Sequence, residues 1–216
     1  MHIAVVLSGC GVYDGSEIHE ATLTLLSIVQ RGGTYQCIAP DRFQREVVNH
    51  ITLEPDPHTK RHILEEAARI ARGNILPLSK AKAADYDAVI FPGGAGAAKN
   101  LCSFLAQGAG CTIEADVLAF ARVFKEAHKP AGFICIAPVM IPLIYPKGTR
   151  LTIGHDRTTA TAIEAMGGLH VLCDVNDVVV DTTHKVVSTP AYMLAKTIAE
   201  TSQGVQKLVE TVMKLH

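Results

Sequence analysis

Short apolar runs alternate with amphipathic segments along nearly the whole chain, and that alternation restricts the fold more than any other feature. HIAVVLSGCG predicts a strand that ends in a glycine turn, and SEIHEATLTLLSIVQRGG predicts a helix capped by Asp14 or Ser16 and stopped at Gly32-Gly33. TYQCIAPD is a second strand. From Asp41 to Ala84 the pattern weakens, although HTKRHILEEAARIARG within it predicts a helix with Ile63, Ala67 and Ile70 on one face. YDAVIFPGGAGAAKN is a strand entering a second glycine turn, followed by a charged helix around Glu114 to His128. GFICIAPVM is another strand and turn, with a helix after it. RLTIGH and HVLCD are short strands around a helix near Thr158 to Met166, DVVVDTTHKVVSTPAY is a hairpin, and a last helix runs to about Leu215. Strands alternating with helices imply a mostly parallel sheet covered on both faces. The fold class expected is therefore α/β, a three-layer α/β/α sandwich of the flavodoxin-like kind, with residues 1–216 forming one domain.

Composition removes several function classes. The 216 residues carry a net charge of −1, which supplies no field for nucleic acid or an anionic membrane surface. No run of 18 apolar residues occurs, so a soluble globular protein with no membrane span is expected. The opening Met1-His2-Ile3-Ala4-Val5-Val6 reads as a strand, without the basic region and small-residue cleavage site of a signal peptide. Six cysteines without CxxC spacing suggest neither a zinc site nor a disulfide framework, which points to a reducing cytoplasm.

In such a sheet, ligands bind beyond the carboxyl ends of the strands. Three turns fall there: SGCGVYDG, PGGAGAAKN and the corner at Cys135. Phe133-Ile134 lead into Cys135, and Pro138 suits the first turn of a following helix. That helix N-terminus would favour thiolate over thiol, making Cys135 a candidate nucleophile, although the position also suits a small core residue. Gly94 and Ile136 are placed to donate backbone N–H groups to an oxyanion beside it.

SGCGVYDGSEIHEA, PGGAGAAKNL, GFICIAP and STPAYM together resemble the ElbB-type glyoxalase family, associated with isoprenoid biosynthesis, within the PfpI-type class I glutamine-amidotransferase-like superfamily. The likeness spans essentially the whole chain. It implies that Glu20 faces Cys135, with Glu17 nearer the mouth of the cleft. The two glutamates lie three residues apart, which would place them on one helix face. A carboxyl shielded from water beside a thiol would have a raised pKa and could shuttle protons. The resemblance also sets His155 beside the cysteine, and it implies a homodimer. Where a glutaminase would need a late His and Glu, this chain has His184-Lys185 and then STPAYM, so glutamine hydrolysis is not expected.

Other signals are weaker. Gly9, Gly11 and Gly15 only partly imitate a dinucleotide fingerprint. His58 and His62 have metal-ligand spacing but no third ligand, and an exposed helix face suits them better. Cys10 is a candidate for a second reactive thiol. The function expected is a cofactor-independent glyoxalase of hydro-lyase type, with no metal and no glutathione. It would turn glyoxal or a similar small dicarbonyl into a 2-hydroxy acid (glycolate) through a Cys135 hemithioacetal. The rivals are a redox-sensing or chaperone-like protein with an oxidisable Cys135, and a binding protein that keeps the cleft as a relic.

Overall fold

A computed structural model describes all residues, 1–216. Five strands run parallel through its centre: β1 (His2–Val6), β2 (Thr34–Ala39), β3 (Ile75–Pro77), β4 (Ala88–Phe91) and β5 (Ala131–Ile134). A two-stranded parallel piece, β6 (Arg150–Leu151) with β7 (Leu169–His170), stands apart from them. The hairpin β8 (Val179–Asp181) and β9 (Val186–Thr189) completes the main sheet in the order β3-β2-β1-β4-β5-β9-β8, with β9 parallel to β5 and β8 antiparallel at the edge. The expected sandwich is therefore present. RLTIGH contributes two paired residues, Arg150 and Leu151, and HVLCD only His170, both outside the main sheet.

Eight helices cover the sheet: α1 (Ile18–Gln30), α2 (Ile63–Ile70), α3 (Ala95–Lys99), α4 (Phe104–Gln107), α5 (Ala115–Glu126), α6 (Ile141–Ile144), α7 (Arg157–Ala165) and α8 (Ile198–Lys214). Side chains alternate across each strand, so the two faces build separate cores. Ile3, Val5 and Leu7, with Ile90 and Val187, pack with residues of α1, α2 and α8. Ala4, Val6, Val89, Phe91 and Phe133 face the other way, onto α5 and the segments around α3 and α6. Phe91 and Phe133 stack with ring centroids 5.0 Å apart across β4 and β5, an arrangement worth about 1 kcal/mol beyond its buried area.

The helices follow their apolar spacing. Ala21, Leu25 and Ile28 form the buried stripe of α1, and Val205, Leu208, Val209 and Val212 that of α8. α1 starts later than expected, with Glu17 as its cap. Asp14 and Ser16 are occupied elsewhere: the Asp14 carboxylate accepts from Val48 N–H at 2.8 Å, and Ser16 Oγ accepts from Ser8 N–H at 2.8 Å. α2 also starts late, at Ile63, so His58 and His62 do not share a helix face; His62 instead lies 3.3 Å from Asp41. No helix is long and apolar enough to cross a membrane.

Candidate active site

The chain leaves β1 through α1 toward β2 and β3, then returns to place β4 on the opposite side of β1. That reversal opens a crevice at the carboxyl ends of β1 and β4. α1 brings Glu20 to it, the turn after β4 brings Gly93 and Gly94, and the end of β5 brings Cys135.

Cys135 is the elbow that the sequence suggests. Its N–H still pairs with Thr189 O at 3.0 Å, extending the sheet by one residue, while its φ of 61° turns the chain sharply. A non-glycine residue held there costs about 1–3 kcal/mol, which the pairing on β9 and the packing beneath must offset. A 3-10 turn over Ala137–Met140 follows, with α6 after it. The expected helix is thus present but short, a 3-10 turn running directly into four residues of α6, and its dipole is correspondingly small.

Glu20 is fully buried and Cys135 is 8% exposed. The Cys135 thiol lies against the Glu20 carboxyl, and the N–H groups of Gly94 and Ile136 face the sulfur. Gly93 N–H donates to Glu20 Oε2 at 3.0 Å, and Tyr192 N–H donates to Oε1 at 3.2 Å. Gly93 must lack a side chain, since a Cβ there would collide with Cys135 Cβ and come within 2.6 Å of Glu20 Oε2. Burial, reinforced by the charge of Glu17, raises the Glu20 carboxyl to about 8 against these hydrogen bonds. Burial and the Glu20 carboxyl together push the Cys135 thiol well above its usual range.

This reverses the expectation of a thiol lowered by a helix N-terminus. Desolvation in a closed site outweighs the dipole of one short turn. Cys135 and Glu20 thus form a two-proton pair, and near pH 7 the carboxyl holds its proton in most molecules.

The remaining candidates fall differently. Glu17 does not share a helix face with Glu20, although it is the less buried of the two. It is 8% exposed, non-helical at φ −65° and ψ 122°, and its Oε2 accepts from Glu20 N–H at 2.7 Å as the cap of α1. His155 has a half-exposed imidazole 3.8 Å from Asp174, and no hydrogen bond joins it to Cys135 or Glu20. Cys10 is partly exposed, and burial raises its thiol too. Tyr192 was not foreseen as a site residue. STPAYM marks the segment, but nothing in it reveals that a backbone N–H there reaches a carboxyl 172 residues away. The Tyr192 hydroxyl is in turn 2.7 Å from His19 Nδ1 at the surface. No group of three or more His, Cys, Asp or Glu is arranged to hold a metal ion.

An elbow cysteine paired with a carboxyl from the first helix, at the carboxyl edge of a parallel sheet, defines an amidotransferase-like α/β protein. No family model matches the chain. A glyoxalase III from Candida albicans shares the fold, with a TM-score of 0.63 over 100% of this chain and 97% of that one, at 15% identity. An isoprenoid biosynthesis protein with an amidotransferase-like domain from Ehrlichia chaffeensis is far nearer, with a TM-score of 0.91, 32% identity and 99% of both chains covered. The ES1 protein homolog, mitochondrial, of Rattus norvegicus is 41% identical over 99% of this chain and 83% of its own length. Glutamine amidotransferase-like class 1 domain-containing protein 3, mitochondrial, of Homo sapiens is likewise 41% identical, over 99% and 82%. The chain belongs to this ES1 family of glutamine amidotransferase-like class 1 proteins.

These relatives overturn the cytoplasmic expectation, since their names place them in mitochondria. Unpaired cysteines argue against an oxidising compartment, but they do not distinguish one reducing compartment from another.

Proposed function

We propose that the protein is a cofactor-independent glyoxalase of the ElbB type, converting glyoxal or a similar small dicarbonyl into a 2-hydroxy acid. The observation that carries this reading is the closed Cys135–Glu20 pair, in which a nucleophile and a carboxyl of near-neutral pKa share protons without a metal ligand or a histidine between them.

The reactive form is the pair after loss of one proton. The sulfur adds to an aldehyde carbon as the remaining proton passes through Glu20 to the carbonyl oxygen, giving a hemithioacetal. The Gly94 and Ile136 N–H groups, which face the sulfur, steady the oxygen in this scheme as charge builds on it. The Glu20 carboxylate then removes the C–H proton of that carbon and returns it to the neighbouring carbon, while the hydroxyl proton passes to the neighbouring oxygen, producing a thioester. Water releases glycolate from the thioester and regenerates the thiol. The sequence is redox-neutral: glyoxal plus water gives glycolate and one proton.

The redox-sensor alternative draws less support, because sensing cysteines are exposed and of low pKa, whereas Cys135 is enclosed with a raised pKa. His155 has no step in this scheme. The names of the relatives support a mitochondrial setting and a role associated with isoprenoid biosynthesis. The test is glycolate formation from glyoxal, without glutathione and with chelator present. Wild-type protein should form glycolate and Cys135→Ser should not; a wild type that forms none overturns the proposal.

A further inference from the structure

The charged groups that act most strongly at the Cys135–Glu20 pair are both acidic: Glu20 acts on Cys135, and Glu17 on Glu20. Glu17 is fixed at the rim by two contacts. Its N–H donates to Gly93 O at 2.9 Å, and its carboxylate accepts from Glu20 N–H at 2.7 Å. Its carboxylate thus occupies the N-terminus of α1, where an anionic ligand would otherwise be favoured.

The N–H groups that line the site are also engaged. Those of Gly93 and Tyr192 serve Glu20, and those of Gly94 and Ile136 face the sulfur. An oxyanion formed on a substrate carbonyl can take over the last two, since the sulfur loses its charge when it bonds to carbon. A second negative group on the same substrate would meet two carboxyls, with these N–H groups already engaged. The exposed imidazole of His19 bonds the Tyr192 hydroxyl.

We infer that the Cys135 site selects uncharged carbonyl compounds and excludes those bearing a carboxylate or phosphate, with Glu17 supplying the charge that discriminates. The inference rests on the reading of Cys135 as the nucleophile. It makes small dialdehydes and oxoaldehydes substrates, and it rejects 2-oxo acids and phosphorylated aldehydes.

Charge-matched alkylation tests this without requiring turnover. The full chain is treated at pH 8.5 with limiting iodoacetamide or iodoacetate, and labelling of the Cys135 peptide is followed by mass spectrometry. Each rate is divided by that of 2-mercaptoethanol with the same reagent. Iodoacetamide should be favoured by at least about tenfold at Cys135, as expected for a like charge entering a poorly solvated cleft. In Glu17→Gln, whose amide oxygen can still cap α1, that preference should shrink several-fold.

A wild-type ratio near one overturns the inference, as does a Cys135 that neither reagent labels. A protection experiment on the wild type alone gives an independent reading: glyoxal should shield Cys135 from iodoacetamide and glyoxylate should not. Equal shielding by glyoxylate also refutes the inference. Failure of the glyoxalase proposal would appear differently, as absent glycolate formation with the alkylation preference intact.

Discussion

Replacing Glu20 by Gln should remove activity while making the protein more stable in alkali, and the two effects have one cause. The Glu20 carboxyl is fully buried and raised from 4.5 to about 8. The folded protein therefore holds this proton across a pH range in which the unfolded chain releases it. Stability from this group is fully present below 4.5 and is lost as pH rises through about 8. At about 1.4 kcal/mol per pH unit, the loss amounts to about 5 kcal/mol. A glutamine in its place has no such dependence. The amide N–H₂ would instead confront one of the two N–H donors, Gly93 or Tyr192, at a cost of about 1–3 kcal/mol. Urea unfolding should thus find Glu20→Gln less stable than wild type at pH 5 and more stable at pH 8.5, by about 2–4 kcal/mol. Glycolate formation should fall by about 10²–10⁴-fold at both pH values. A stability difference that stays constant between pH 5 and 8.5 would refute the assignment of a buried, proton-holding Glu20, and unchanged turnover would refute its part in the reaction.

Four further outcomes follow from the same geometry. The wild-type kcat/KM for glyoxal should climb about tenfold per pH unit between pH 6 and 7.5 and level off above about 8, because the pair reacts after losing one proton; a profile flat across that range contradicts the pairing. Gly93→Ala drives a methyl group into Cys135 and Glu20, and should cut turnover by at least about 100-fold and destabilise the fold by about 1–3 kcal/mol, measured by glycolate assay and urea unfolding. Limiting iodoacetamide at pH 7 should label Cys10 before Cys135, since Cys10 is the more exposed and Cys135 is enclosed beside a carboxyl; mass-spectrometric mapping with Cys135 first would restore the low-pKa reading. Light scattering at micromolar concentration should give twice the 23.1 kDa chain mass, the common two-fold arrangement of soluble proteins, and a monomer would exclude it.

Much of the fold was open to reading residue by residue, because strand and helix periodicities are local. AVIF and AGFI are apolar throughout since both faces of those strands are covered, and Ala21, Leu25 and Ile28 recur at helical spacing since one face of α1 is. The corner at Cys135 was legible for the same reason: an apolar run stops at a cysteine and a proline soon follows. The sequence also carried the membership of Glu20 and Cys135 in one site, through the joint resemblance of four separate motifs. It misplaced the start of α1, because Asp14 and Ser16 both look like caps in the sequence, whereas distant Val48 and nearby Ser8 engage them and leave Glu17 to cap the helix.

The proton chemistry belongs to the tertiary structure alone. Whether a thiol at a helix start is lowered or raised depends on how much water and which charges surround it, and here burial beside the Glu20 carboxyl outweighs one short turn. The hold on Glu20 comes from Gly93 and from Tyr192, contributed by distant parts of the chain and brought together only when β4 and the segment after β9 take their places around β5. His155 fell outside that assembly because its loop follows β6, which pairs with β7 rather than with the main sheet. Periodicity specifies which face of an element is buried. Solvation and Coulomb interactions depend on everything that arrives at that face, and no local window of sequence contains that information.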